Sequence, residues 1–304
     1  MQLQGSTVLV TGSTGFVGGH VREALAARGA RVVPFARGSG AASGDVRDRA
    51  ALDRAMRSVD AVVHLAVSPG YRAEGDPRWD AEVNIIGTLN MLLAAGAQGV
   101  RRVLHVSSAH VYGSTRPLVS EDDPPWPTSL YGVSKLASEE YARMFARARG
   151  LRVSVVRLAA LYGEAVGGDA PPNVVTRFVD LALADRPIVI AGDPQGRLDL
   201  LHVRDAAAGC ILALEKEGES GRIHNLGGAE PVTIAELATL AIGACGSRSI
   251  VEAGPPQPST LLPLLDIARA RRELGFTPSI DVATGVAAFA AARRTRRSAS
   301  EPRP

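Results

Sequence analysis

Two cysteines are all that 304 residues contain, and Cys210 and Cys245 lie in apolar, helix-like stretches without CxxC spacing. That excludes a disulfide framework and a cysteine-ligated zinc site; no metal is expected, and a reducing compartment is the natural one. An excess of one charge is missing too. The chain sets 34 Lys and Arg against 31 Asp and Glu, a net charge of +3, so no strongly basic field marks it for nucleic acid. No apolar run approaches the roughly 18 residues of a membrane span. The N-terminus enters Ser6-Thr7-Val8-Leu9-Val10 with no basic region or cleavage site before it. A soluble, cytoplasmic protein is expected. At the other end Arg293-Arg294-Thr295-Arg296-Arg297 and the residues after it carry charge and proline but nothing to bury, so 293–304 reads as a disordered tail, with a basic patch for a polyanion as the rival reading.

What is present is core material: 46% of the residues are hydrophobic. Short β-branched runs at 7–10, 31–35, 61–65, 102–106 and 152–157 alternate with helical periodicity at 20–28, 49–58, 81–97 and 129–149. Several of the runs are apolar on both faces, as buried parallel strands are. The fold class is therefore α/β, a Rossmann-like doubly wound parallel sheet, followed by a smaller mixed α/β region in which Gly and Pro cluster. The expected boundaries are 1–165 for dinucleotide binding, with 198–218 returning to it, and 166–197 with 219–292 for the substrate.

The first strand runs into Thr11-Gly12-Ser13-Thr14-Gly15-Phe16-Val17-Gly18, and a helical pattern follows. Glycines at 12, 15 and 18 permit a tight turn and close approach of the backbone to a pyrophosphate, with Thr14, Phe16 and Val17 between them at the mouth of the helix. The second strand ends at Phe35-Ala36-Arg37, where an NAD enzyme would offer Asp or Glu to the ribose. A guanidinium there can pair with a 2′-phosphate, so NADP(H) is favoured and NAD(H) remains possible; otherwise Arg37 is a solvated surface side chain. Asp45, followed by Val46, comes after what reads as a short third strand and can accept from the adenine amino group or cap the next helix.

Tyr131 and Lys135 are four residues apart at the start of a helical pattern and so share one face. An ammonium there is expected to lower the phenol from its usual value near 10 and make Tyr131 an acid or base. Ser108, at the mouth of the strand before it, would orient the reacting oxygen. The glycine loop, Gly44-Asp45-Val46, His64-Leu65-Ala66, Asn84-Ile85-Ile86-Gly87-Thr88, Ser107-Ser108-Ala109-His110-Val111-Tyr112-Gly113 and Tyr131-Gly132-Val133-Ser134-Lys135 stand in an order that resembles extended short-chain dehydrogenases/reductases, the NAD-dependent epimerase/dehydratase group. The resemblance covers residues 6 to about 290. It implies that Ser108, Tyr131 and Lys135 are catalytic, that Lys135 also holds the nicotinamide ribose, and that Leu65 and Ala66 border the cofactor. Asn84 fixes backbone or cofactor-side geometry, or is an ordinary polar residue of a helix surface. A homodimer through 81–97 and 129–149 is also implied.

The family's 4,6-dehydratases carry an acidic pair after the catalytic Ser or Thr, and here those positions are Ala109 and His110. Dehydration is not expected. His110 either meets substrate or packs. Ala160 stands where the family has a substrate-contacting Asn, and Leu198 where it has a diphosphate-gripping Arg, with Arg197 adjacent. Asn173 either binds diphosphate or caps a helix. The expected substrate is a nucleotide-activated sugar. A ketoreductase for a 4-keto deoxysugar is placed ahead of a 4-epimerase with retained NAD because of Arg37, and a cofactor-sensing regulator without turnover stands behind both.

Overall fold

The computed structural model describes residues 1–38, 43–113, 116–166, 170–218, 220–258 and 261–300, with side chains described to 297. The β-branched runs form six parallel strands: β1 (Thr7–Thr11), β2 (Arg31–Phe35), β3 (Ala61–His64), β4 (Arg102–Ser108), β5 (Val153–Leu158) and β6 (Arg222–Leu226). They are ordered β6-β5-β4-β3-β1-β2. Val8 faces Val32 on one side and Ala61 on the other, so β1 is the strand from which the chain winds first one way and then the other. Ligands of such sheets bind beyond the carboxyl ends of the strands at that reversal.

Alternate residues of one strand enter different cores because successive side chains point to opposite faces. Val8, Val10, Ala61, Val63, Leu104 and Val106 pack with Val21 and Leu25 of α1 (Phe16–Ala27). Leu9, Val62 and Val103 pack instead with Leu52 of α2 (Arg49–Ala55), Met91 and Leu92 of α3 (Gly87–Ala97), and Ala142 of α4 (Leu130–Arg149). A third core, around Tyr162, Phe178, Leu237 and Phe289, joins α5 (Val174–Ala182), the helix Ile234–Cys245 and the helix Val282–Ser300. The helix Val203–Glu215 packs on the large sheet beside α1. Among the described residues no helix is long and apolar enough to cross a membrane.

Three features depart from the sequence reading. Strand β6 completes the large sheet, although 219–292 was expected to serve the second region; its register with β5, from Arg222↔Ser154 to Leu226↔Leu158, is a long-range pairing. The expected short strand before Asp45 is a single bridge, Ala36↔Ser43. The arginines read as a frayed tail lie on a helix that runs to Ser300. Their heads find acceptors in the protein: Arg293 on Asp180 at 3.0 Å, Arg294 on the Cys245 carbonyl at 2.8 Å, Arg296 on the Ala165 carbonyl at 2.9 Å. Residues 301–304 lie outside the described residues.

Helix α4 is tied to the sheet by a buried ion pair. Arg157 of β5 meets Glu139 through Nε to Oε1 at 3.0 Å and Nη2 to Oε2 at 2.6 Å, with side-chain exposures of 3% and 0%. The guanidinium also lies 4.6 Å from the Tyr112 ring centre, and the Tyr112 hydroxyl donates to Asn225 Oδ1 of β6. Removing one member leaves the other charge buried and unpaired. Arg157→Met is therefore expected to lower the unfolding free energy by about 3–5 kcal/mol. Urea denaturation followed by circular dichroism measures it, and a loss under about 1 kcal/mol would show that the pair does not hold α4.

Candidate active site

Beyond the carboxyl ends of β1, β3, β4 and β5 lies a cleft of about 620 Å³ between the large sheet and the third core. Its walls are the glycine loop, the end of β4 with Ser107 and Ser108, the first turns of α4, and Ala160, Leu161 and Asn173 from the second region. A larger basin of about 860 Å³ lies at the opposite end of the strands, lined by Gly99, Arg101, Arg149 and Arg152 among others. It holds no acid and base in contact, so chemistry is sought in the smaller cleft.

The loop's glycines are required by contact. At Gly12, whose φ is +66°, a Cβ would lie 2.7 Å from the Ala66 nitrogen, and at Gly18 it would lie 2.2 Å from the Gly12 carbonyl oxygen. Gly15 occupies the N-cap of α1 and gives it no side-chain cap, so the first N–H groups of that helix are left for a ligand. These are the features a dinucleotide's pyrophosphate needs. Thr14, Phe16, Val17 and Leu65 line the cleft with the glycines. Ala66 does not line it, and its N–H is spent on Thr11 Oγ1 at 3.2 Å. Thr11, given no role of its own by the sequence, thus fixes the loop: its hydroxyl also meets His64 Nδ1 at 2.8 Å, and His64 Nε2 meets Thr88 Oγ1 at 3.0 Å.

The adenosine-side candidates form a separate group. Asp45 accepts from Arg47 through Nε to Oδ1 at 3.1 Å, Nε to Oδ2 at 3.2 Å and Nη2 to Oδ2 at 2.9 Å, and from the Arg47 backbone N–H at 2.9 Å. Burial pushes its carboxyl up, but the Arg47 bonds and the charges of Arg47 and Arg37 hold it below the ordinary value. It does not cap α2; Asp48 does, accepting from the Ala51 N–H at 3.0 Å. Arg37 is exposed, lies 5.0 Å from the Trp79 ring centre, and makes no ion pair among the described residues. Arg47 lies 4.0 Å from the same ring centre. Val46 is a core residue outside the cleft, its carbonyl bonded by Asn90 at 3.1 Å.

The catalytic candidates converge on the cleft floor. Ser129 caps α4 by accepting from the Gly132 N–H at 3.1 Å, which sets Tyr131 and Lys135 one turn apart on the face toward β4. Lys135 is buried and Nζ donates to the Val106 carbonyl at 2.7 Å. Burial pulls its pKa down to about 8, against the opposing charges of Glu139 and Asp80. The expectation that Lys135 lowers the Tyr131 phenol is not met in the free cleft. Burial pushes Tyr131 up to about 12, the Ser108 hydrogen bond offsets part of this, and the Asp80 charge adds to it, while the Lys135 ammonium is bonded to the Val106 carbonyl. Ser108 Oγ also meets His110 Nδ1 at 3.0 Å, and the His110 ring stands edge-on to Tyr131 with centres 5.1 Å apart. Burial lowers His110, so its ring is a neutral partner.

The remaining candidates divide. Asn173 caps α5, accepting from the Thr176 N–H at 2.8 Å, and also lines the cleft. Arg197 is exposed on the two-residue strand Arg197–Leu198 and does not reach the cleft; alternation turns it to solvent while Leu198 packs on the third core. Asn84 is not a surface residue and does not line the cleft; it fixes backbone, one of the roles expected of it. It sits buried in a π-helical turn, Glu82–Ile86, accepting from the Ser68 N–H at 2.8 Å. Asp80 and Ser134, its other partners, were missed; the signal was the spacing of Asp80 four residues before Asn84. Gly18→Ala places its methyl against backbone that cannot retreat. The variant is expected to weaken NAD(H) and NADP(H) binding at least about tenfold, about 1.4 kcal/mol, in a fluorescence titration, and undiminished affinity would remove the loop from the site.

The fold and the cleft have known counterparts. The NAD dependent epimerase/dehydratase family matches residues 8–227. The UDP-glucose 4-epimerase of Mycolicibacterium smegmatis is 33% identical over 301 residues, which is 92% of this chain and 96% of that protein. The dTDP-glucose 4,6-dehydratase of Streptomyces griseus is 33% identical over 82% of this chain and 76% of its own length. The structure of MoeE5 in complex with UDP-glucose and NAD superposes with a TM-score of 0.86 at 30% identity, covering 97% of this chain and 100% of that one. This chain therefore belongs to the NAD dependent epimerase/dehydratase family.

Proposed function

We propose that the protein is a nucleotide-sugar 4-epimerase. One observation carries this reading: Ser108, Tyr131 and Lys135 meet at the floor of a cleft whose described lining residues include no Asp or Glu. Inverting a secondary alcohol by oxidation and return needs one group that takes and gives a proton at the hydroxyl oxygen. Eliminating water needs a further acid for the leaving hydroxyl, and Ala109 and His110 do not supply a carboxyl. The nicotinamide, when bound, supplies the hydride acceptor and donor. Tyr131, once its phenol has lost its own proton, takes the proton from the sugar hydroxyl and returns it; Ser108 holds that oxygen by hydrogen bond and lowers the phenol against its burial; the Lys135 ammonium is the positive charge on the same face of α4. Neutral His110 supports Ser108. A sugar-nucleotide substrate is supported by the relatives, which act on or bind UDP- and dTDP-sugars.

A second reading, ketoreduction with NADPH, is favoured by Arg37, exposed and without an ion pair among the described residues beside Arg47. The sequence alone placed it first. The activities named for the relatives reverse that order, since they are epimerases and dehydratases and NAD is the dinucleotide bound in the matched structure. Incubation with UDP-glucose, UDP-galactose and dTDP-glucose, followed by proton NMR at C4, separates the two. Exchange of the C4 epimers without added cofactor supports the first reading. Tight NADPH binding, weak NADH binding and consumption of NADPH by a 4-keto sugar, with no epimer exchange, would replace it with the second. Tyr131→Phe is expected to lower turnover by about 100-fold or more while the dinucleotide still binds.

A second copy of the chain is expected on α4. Val133, Tyr141 and Met144 are exposed there and share a face at helical spacing. Light scattering at micromolar concentration is expected to give twice the chain mass, and Tyr141→Glu with Met144→Glu to give the monomer. A monomeric wild type would refute the pairing.

A further inference from the structure

One buried carboxylate near the cleft has no part in the reaction above. Asp80 lies in the short helix Pro77–Ala81, about 2% exposed, and makes no ion pair of its own among the described residues. Its Oδ1 accepts from Asn84 Nδ2 at 2.8 Å. The same amide donates to Ser134 Oγ at 3.0 Å, and the Ser134 hydroxyl donates to the Tyr131 carbonyl at 3.0 Å. Asn84 is anchored in turn by Ser68, whose N–H donates to its Oδ1. A closed set of buried hydrogen bonds thus joins the π-helical turn to the part of α4 that carries the reacting pair.

We propose that Asp80 is a positioning residue: through Asn84 and Ser134 it fixes the first turn of α4, and its carboxylate is the counter-charge to the Lys135 ammonium. Lys135 faces two carboxylates, Asp80 and Glu139, and Glu139 is already taken by Arg157 in three contacts. The other titratable groups that sense it, His64 and His105 on β3 and β4, are driven toward the neutral form by burial. Burial raises the Asp80 carboxyl above its ordinary value, with the nearby Glu74 adding to this, and the Lys135 charge acts against them. The Asp80 charge also reaches Tyr131 and raises the phenol. One carboxylate therefore biases both members of the pair toward the protonated state, ammonium and phenol, in the resting cleft.

The chain makes a direct measurement possible because it contains two lysines, Lys135 and Lys216. With lysine labelled at 13Cε, the cofactor-free protein gives two side-chain signals, assigned with Lys216→Arg, and each is titrated with pH. The Lys135 midpoint is expected near 8. In Asp80→Asn, which keeps the oxygen that accepts from Asn84, it is expected to fall by about one unit or more, since an opposite charge at close range favours the charged form. The Lys216 midpoint should not move. Asp80→Ser removes the same charge from a smaller side chain and gives the same reading if Asp80→Asn does not fold. A Lys135 midpoint unchanged by the loss of the carboxylate overturns the proposal. The inference rests on the Ser108, Tyr131 and Lys135 reading for its consequence alone. The spectrum is read without substrate or cofactor, so its failure would leave the epimerase reading standing, and the absence of epimerisation would leave this inference standing.

Discussion

Everything around the cleft follows from placing a lysine ammonium inside the protein at the end of β4. A buried charge is tolerated only when it is hydrogen-bonded and compensated. The Val106 carbonyl provides the bond, and Glu139, one turn along α4, provides a charge. Glu139 then needs its own partner and finds Arg157 on β5. Arg157 lies over Tyr112, whose hydroxyl is held by Asn225 on β6. One ammonium thus accounts for a chain of buried polar groups that crosses three neighbouring strands and fixes how α4 lies on them. Asp80 and Asn84 extend the same logic to the other side of the helix.

A second constraint, steric instead of electrostatic, sets the opposite wall. The end of β3 crosses the glycine loop so closely that no side chain fits at Gly12, and the first turn of α1 comes back against the loop at Gly18. Thr11 and Thr88 hold His64 between them, so the loop and α3 keep a fixed spacing through an imidazole that burial keeps neutral. The two walls are therefore rigid for different reasons, one by backbone contact and one by a charge network. The cleft between them is preorganised to hold a long ligand along the loop and a reacting centre at Ser108.

The parts legible in the sequence were those encoded locally. Strands apolar on both faces announced a buried parallel sheet, and the glycine spacing and the Tyr131 to Lys135 interval announced the loop and two neighbours on the cleft floor. What stayed hidden depends on partners far along the chain. The run 222–226 reads as any short strand until β5 is beside it, and the arginines after 292 read as solvated until Asp180 and two backbone carbonyls reach them. Arg197 and Leu198 show the limit of adjacency: neighbours on a strand face opposite ways, so a guanidinium next to the expected slot does not fill it. The phenol failed for a different reason. Spacing put Lys135 near Tyr131, but the direction of its ammonium, toward Val106, is decided by the backbone of another element.

The charge balance at the cleft floor bears on what enters it. The phenol is protonated, His110 is neutral, and Lys135 is the one charged side chain among the described lining residues, with the Glu139 and Asp80 carboxylates set behind it. The loop adds the uncapped N-terminus of α1. Both favour anions, and a low-dielectric cleft lets such fields act over the full length of a ligand. A neutral sugar alone would gain little from this arrangement, whereas a sugar joined to a diphosphate would be drawn in by its charge and oriented by the hydrogen bonds of its hydroxyls. In the proposed epimerisation the Tyr131 phenol must first give up its own proton, and as the phenolate it would take the proton of either epimer and return it to the oxygen that proton left.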